Sequence, residues 1–219
     1  MLMKAKLQNP FIQFLIGLIF VSAAILVDRG VLVFRLPAPS GSDPGNWLTF
    51  AKELTGAQIR LADWSYPPLV LSFLRVLLAL IDPIGALKVV GFTCWIFLAF
   101  SFFVVLKLSF HQIPFYLLIC VGLLFALVGF HGEIFAFGGY PQILGLSFII
   151  QSVYFANEWI GGEVKNLVFA TLFTQLVVYT HHLMAAILMV IITILFVWRF
   201  MNAEGNRKEI LRRMDSAVQ

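Results

Sequence analysis

The sequence predicts an all-α integral membrane protein with about six to seven transmembrane helices and, after the first, an external loop bearing an amphipathic interfacial helix. Three observations lead there. Of 219 residues, 61% are hydrophobic and 12% charged, with a mean hydropathy of +0.95, far from a soluble domain. Apolar runs of roughly 17 to 25 residues recur, the length that crosses a hydrocarbon core of about 30 Å as helix. The alternating strands of about 10 residues that mark a membrane barrel are absent from the pattern.

The formal charge of +4 matters less than its placement. Lys4 and Lys6 precede the first apolar run, and Arg199, Arg207, Lys208, Arg212 and Arg213 follow the last. Such clusters mark the cytoplasmic side and anionic headgroups rather than a nucleic-acid partner. Residues 1–200 therefore form a polytopic membrane domain and 201–219 a basic cytoplasmic tail. Cys94 and Cys120 both lie inside apolar runs, which argues against a disulfide framework or a thiolate metal site.

In chain order, Lys4 and Lys6 with residues 11–27 also fit a cleaved signal peptide, with Ser22-Ala23-Ala24 as the small-residue site. The run is long for that role, so a retained helix with its amino end inside is expected. The external loop, residues 28–68, opens with Asp28-Arg29-Gly30 and passes through Leu36-Pro37-Ala38-Pro39, which cannot be helical throughout. From Trp47 the period changes: Trp47, Leu48, Ala51, Leu54 and Gln58 share one helical face, so a short amphipathic helix lying in the headgroup plane is expected.

Residues 69–81 are short for a crossing and carry Arg75. Asp82-Pro83 then introduces residues 85–110, and Ile113-Pro114 a run to Phe130, each proline placed where a missing N–H is harmless. A polar interruption from His131 to Gln142 contains Glu133, Gly138-Gly139 and Tyr140. Residues 143–155 lead to a Gly161-Gly162 turn, residues 167–179 to Thr180-His181-His182, and residues 183–198 to the tail.

Seven apolar segments would leave the basic tail opposite the basic amino end, against the positive-inside rule. Removing residues 69–81 as an independent crossing leaves six. The Asp43 loop, the His131 to Gln142 interruption and Thr180-His181-His182 then all face the non-cytoplasmic side, and one site is expected there.

Asp43 before Pro44 reads as an N-cap with proline at N1, and equally as a catalytic base or metal ligand. Glu133 and His131 read as an interfacial loop or, with Asp43, as ligands of a divalent cation. His181 and His182 point about 100° apart on a helix, so one faces a site and the other the headgroups. Arg75 either snorkels or meets a lipid phosphate. Trp47, Trp64, Trp159 and Trp198 read as interface anchors.

Ser42-Asp43-Pro44-Gly45 in a long loop after the first helix, an amphipathic segment, and Tyr66-Pro67-Pro68-Leu69 entering the next helix resemble the amino-terminal half of polytopic glycosyltransferases of the C-type (GT-C) fold. That family includes protein mannosyltransferases and aminoarabinose transferases. Phe137-Gly138-Gly139-Tyr140-Pro141-Gln142 and Thr180-His181-His182 are similar to stretches in its bacterial and archaeal members. The resemblance covers residues 1–198. It implies a polyprenyl-phosphate-linked sugar donor, Asp43 and Glu133 as catalytic or cation-binding acids, and His131, His181, His182, Tyr66, Arg75 and Tyr140 around the substrate, with Arg75 or Arg29 on the phosphate. The first loop lacks the paired acids many members carry, and Glu133 stands where an Arg-Pro-Asp type pattern is common. Members are longer, so a fragment, a fold completed by a second polypeptide, or an inactive relative is expected. A transporter and a non-catalytic subunit binding lipid or a partner are the alternatives.

Overall fold

The computed structural model describes residues 10–30, 34–35, 43–53, 68–110, 112–127 and 139–202. These are all-helical, with no strand among them. In chain order they form α1 (Pro10–Ile25), which runs into a π turn (Leu26–Gly30), α2 (Asp43–Glu53), α3 (Pro68–Leu78), α4 (Pro83–Ser109), α5 (Phe115–Leu127), α6 (Tyr140–Gly161), α7 (Val164–Thr180) and α8 (His182–Asn202).

Three segments, Pro83–Ser109, Tyr140–Ile160 and His182–Met201, are long and apolar enough to cross a membrane. At 1.5 Å per residue the 27 residues of α4 extend about 40 Å. The 11 residues of α3 reach only about 16 Å, half of a hydrocarbon core.

Local chemistry sets the helix limits. The Asp82 carboxylate accepts the Gly85 N–H at 2.9 Å, with Pro83 at the first helical position. A Cβ on Gly85 would come within 2.6 Å of Asp82 Oδ2, so the cap needs glycine there. Gly162 takes φ 138° and its N–H closes on the Trp159 carbonyl at 2.9 Å, turning α6 back into α7.

Side-chain pairs fix how the helices run. Phe97 meets Phe148 with ring centres 5.7 Å apart, and Gln151 Nε2 donates to the Ser101 carbonyl at 3.3 Å, so α4 and α6 are parallel. α5 returns along α4, with Phe102 stacked on Phe125 at 3.8 Å and Phe103 against Phe115. α1 runs opposite to α4: the Phe103 ring covers Gly17, and Phe92 lies beside Gly30. α8 follows α6, with Met184 against Gly145 and Arg199 bonded to Asn157. Pro10, Ser109, Gly161 and Asn202 consequently share one end of the bundle, and Gly30, Pro83, Tyr140 and His181 lie toward the other.

Several buried polar groups are bonded across or along helices. Ser152 Oγ lies 2.8 Å from Thr174 Oγ1, Ser147 Oγ donates to Ile143 O at 3.0 Å, and Thr180 Oγ1 to Val177 O at 2.8 Å. In a membrane the bond between helices, Ser152 with Thr174, contributes of order 0.6 kcal/mol, enough to fix register rather than to drive folding.

The amphipathic helix is present, beginning at Asp43. Trp47 and Ala51 are buried, in one cluster with Val70, Leu71 and Leu74 of α3 and with Trp95 and Tyr140. Of the expected face, Trp47 and Ala51 are buried and Leu48 is half-buried against other helices, while Leu54 and Gln58 lie outside the described residues. α3 supplies a complementary apolar stripe four residues wide in pitch, Val70 and Leu74, which the loop sequence by itself did not reveal.

Candidate functional site

Three helices begin close together on the Tyr140 side of the bundle. Gly145, one and a half turns into α6, abuts Thr180 Oγ1 and Met184, where α7 passes into α8; a Cβ there would lie 3.0–3.1 Å from them. Leu69, one residue into α3, and Leu144 and Met184 all pack on the cluster of Phe148, Val177 and Leu188. Each start carries the partial positive charge of uncompensated N–H groups. None of the three has an acidic residue in its first turn, and Gly139 at the head of α6 offers no side-chain cap.

The meeting point lies below the tip of α4 rather than at it. Tyr140 is only 2% exposed. Phe148 is level with Phe97 and Gln151 with Ser101, so Tyr140 comes level with about residue 90, roughly 10 Å beyond Pro83 along α4. α2 docks on the same half, sharing the Trp47 and Tyr140 cluster, and so brings its first residue, Asp43, to this end.

His181 is the joint between α7 and α8. Its backbone is extended (φ −167°, ψ 123°), its N–H donates to Val177 O at 3.0 Å, and its carbonyl accepts the Ala185 N–H at 3.0 Å. The ring is half-buried, with Nδ1 shielded and without a hydrogen-bond partner among the described residues. Burial pushes its pKa below the usual imidazole value, and the neighbouring His182 adds to that, so the ring is neutral at pH 7. His182 is exposed. The two histidines do not share one helix as expected: His181 is the extended joint and His182 opens α8.

Gln142 lies three residues before Gly145, on the face of α6 turned to that joint and one turn nearer its end. Its Oε1 is likewise shielded and without a partner among the described residues. An amide oxygen and a neutral imidazole left unpaired at one helix junction suit a hydroxyl, which can donate to one and accept from the other.

Arg75 stands apart. It is exposed in the last turn of α3, seven residues and about 10 Å beyond Pro68. Lys88, which sequence reasoning passed over, is 8% exposed, and its Nζ donates to the Phe34 carbonyl at 3.4 Å. The available signal was a cation inside an apolar helix, six residues after the Asp82 cap and far from the last turn where Lys107 sits. His131, Glu133 and Tyr66 lie outside the described residues, as do the side chains of Asp43 and Arg29. No known protein family, curated protein or solved structure matches the chain.

Proposed function

We propose that the chain is a multi-pass membrane glycosyltransferase of the GT-C type, or the amino-terminal portion of one, moving a sugar from a polyprenyl-phosphate donor to an acceptor hydroxyl. In this reading α1, α4, α5, α6, α7 and α8 make six crossings, α3 stops halfway, and both termini are cytoplasmic. The observation that supports it is the meeting of the starts of α3, α6 and α8 beside the half of the bundle where α2 presents Asp43.

The chemistry asks for little else. Asp43 takes the acceptor proton as the acceptor oxygen bonds the sugar carbon, and the carbon–oxygen bond to phosphate breaks with inversion. The departing phosphate keeps the electron pair, and the helix starts and the cations of this half, Lys88, Arg29 and Arg75, offset its charge. His181 and Gln142 hold sugar hydroxyls, with His131 and Tyr66 completing the surround; Tyr140, expected beside the substrate, is buried in the apolar core with Cys94 and Trp95 and packs the helices instead. Glu133 assists Asp43, or joins it in holding a divalent cation.

The test is transfer from a radiolabelled polyprenyl-phosphate sugar in membranes containing the full chain. Asp43→Asn removes the base while conserving shape, and a loss of about 10²–10⁴-fold is expected. Full transfer by a variant expressed at the same level would sink the assignment.

A further inference from the structure

At the Asn202 end, α4, α6 and α8 do not close on one another, and a groove of about 500 Å³ runs between them. Val105 of α4, Ile149 and Val153 of α6, and Ile191 and Leu195 of α8 line its body. At four-residue spacing these residues form rows along α6 and α8. Both rows change character one turn further on, at Asn157 and Arg199. Asn157 lines the groove's mouth. Arg199 donates to its Oδ1 from Nη2 at 2.7 Å and from Nε at 3.3 Å.

The guanidinium also lies 5.5 Å from the Trp198 ring. Among the described residues no carboxylate pairs with it; the Glu158 carboxylate accepts from the Asn157 amide at 3.5 Å. A planar cation with five N–H groups, two of them used, therefore caps an apolar trough. We propose that this groove holds one hydrocarbon chain of an anionic phospholipid, whose phosphate rests on the Arg199 guanidinium.

Volume and charge select that occupant. Two turns of a helix about 10–12 Å across with its side chains take up more than the groove's volume of about 500 Å³, whereas a single hydrocarbon chain does not. A neutral lipid would leave the cation at the mouth without its counter-charge. The basic residues that follow α8 in sequence, Arg207, Lys208, Arg212 and Arg213, favour an anionic leaflet at the same end. The inference is independent of sugar transfer, since the groove lies at the opposite end of the bundle from Tyr140 and His181.

The full chain is purified in micelles containing equal amounts of phosphatidylglycerol and phosphatidylcholine, and retained lipid is read by native mass spectrometry. One phosphatidylglycerol is expected to be retained in preference. Arg199→Gln lowers that retention about tenfold, the factor that one charge-assisted contact carries, and Arg199→Lys keeps most of the preference. Val153→Phe fills the groove and removes retained lipid altogether. Lys165→Gln, at the same end but paired with Glu163, leaves retention unchanged. Equal retention of the two lipids by the wild-type chain, or an equal loss in Lys165→Gln, overturns the proposal. So does efficient cross-linking of Ile191→Cys to a neighbouring membrane helix, which would make a polypeptide the occupant.

Discussion

His181 sits where two helices exchange their unsatisfied ends: its N–H closes the last turn of α7 and its carbonyl opens the first turn of α8. The backbone is fully used and the ring nitrogen Nδ1 is not. Because burial holds the folded-state pKa below 6.5, the unfolded chain takes up the proton first as pH falls. Stability is therefore intact above pH 6.5 and declines as pH drops below it. The unfolding midpoint in detergent should fall between pH 7.5 and 5.5, and His181→Gln should flatten that dependence, while His182→Gln, which removes only the lesser cause, should reduce it less. A second local prediction concerns the Asp82 cap. Asp82→Ala should cost about 1 kcal/mol of stability, measured by denaturant unfolding. That cap was legible because all its chemistry lies within four residues of sequence, Asp82 to Gly85. The orphaned Nδ1 of His181 was not, because its burial depends on how the α7–α8 joint packs against α6, where Gly145 meets Thr180 and Met184 across more than 30 residues of sequence.

Elements obey the same division between local and distant causes. The period of Trp47, Leu48 and Ala51 announces a one-sided helix, and α2 is one, with Trp47 and Ala51 buried. What covers that side depends on α3, whose Val70 and Leu74 are set into the same cluster. Trp47→Ala should consequently release α2 from α3 before it unfolds α4. The loss of a buried tryptophan is worth about 3–5 kcal/mol, and hydrogen exchange should quicken in residues 43–53 with residues 86–99 unchanged. Uniform acceleration across both would mean that α2 is part of the cooperative core. Gly145 is the corresponding weak point of α6: Gly145→Val would force its side chain into Met184 and Thr180 and separate the α6 start from the α7–α8 joint.

For the molecule as a whole, what sequence could supply was a parity constraint, and what it lacked was the pairing of helices. The parallel course of α4 and α6 rests on Phe97 with Phe148 and on Gln151 with Ser101, pairs about 50 residues apart that no local period encodes. Under the proposed function, basic clusters at both termini and a helix of 11 residues, too short to cross, go with an even number of spans between Lys4 and Arg207. The packing sets Gly17 of α1 against Phe103 of α4, Ser109 and Asn157 on one groove, and Arg199 of α8 on Asn157, so the first helix starts toward the end of the bundle where the last one finishes. Single cysteines in a Cys94→Ser, Cys120→Ser background convert this into a measurement with a membrane-impermeant maleimide on intact cells. Cysteines at 43 and 133 should label from outside, and cysteines at 4 and 207 only after the membrane is opened. Labelling of 43 and 133 from opposite faces would place Asp43 and Glu133 in different leaflets. A lipid-borne sugar could not then meet both carboxylates, and sugar transfer by this pair would have to be abandoned, while the lipid groove at the Arg199 end would stand untouched.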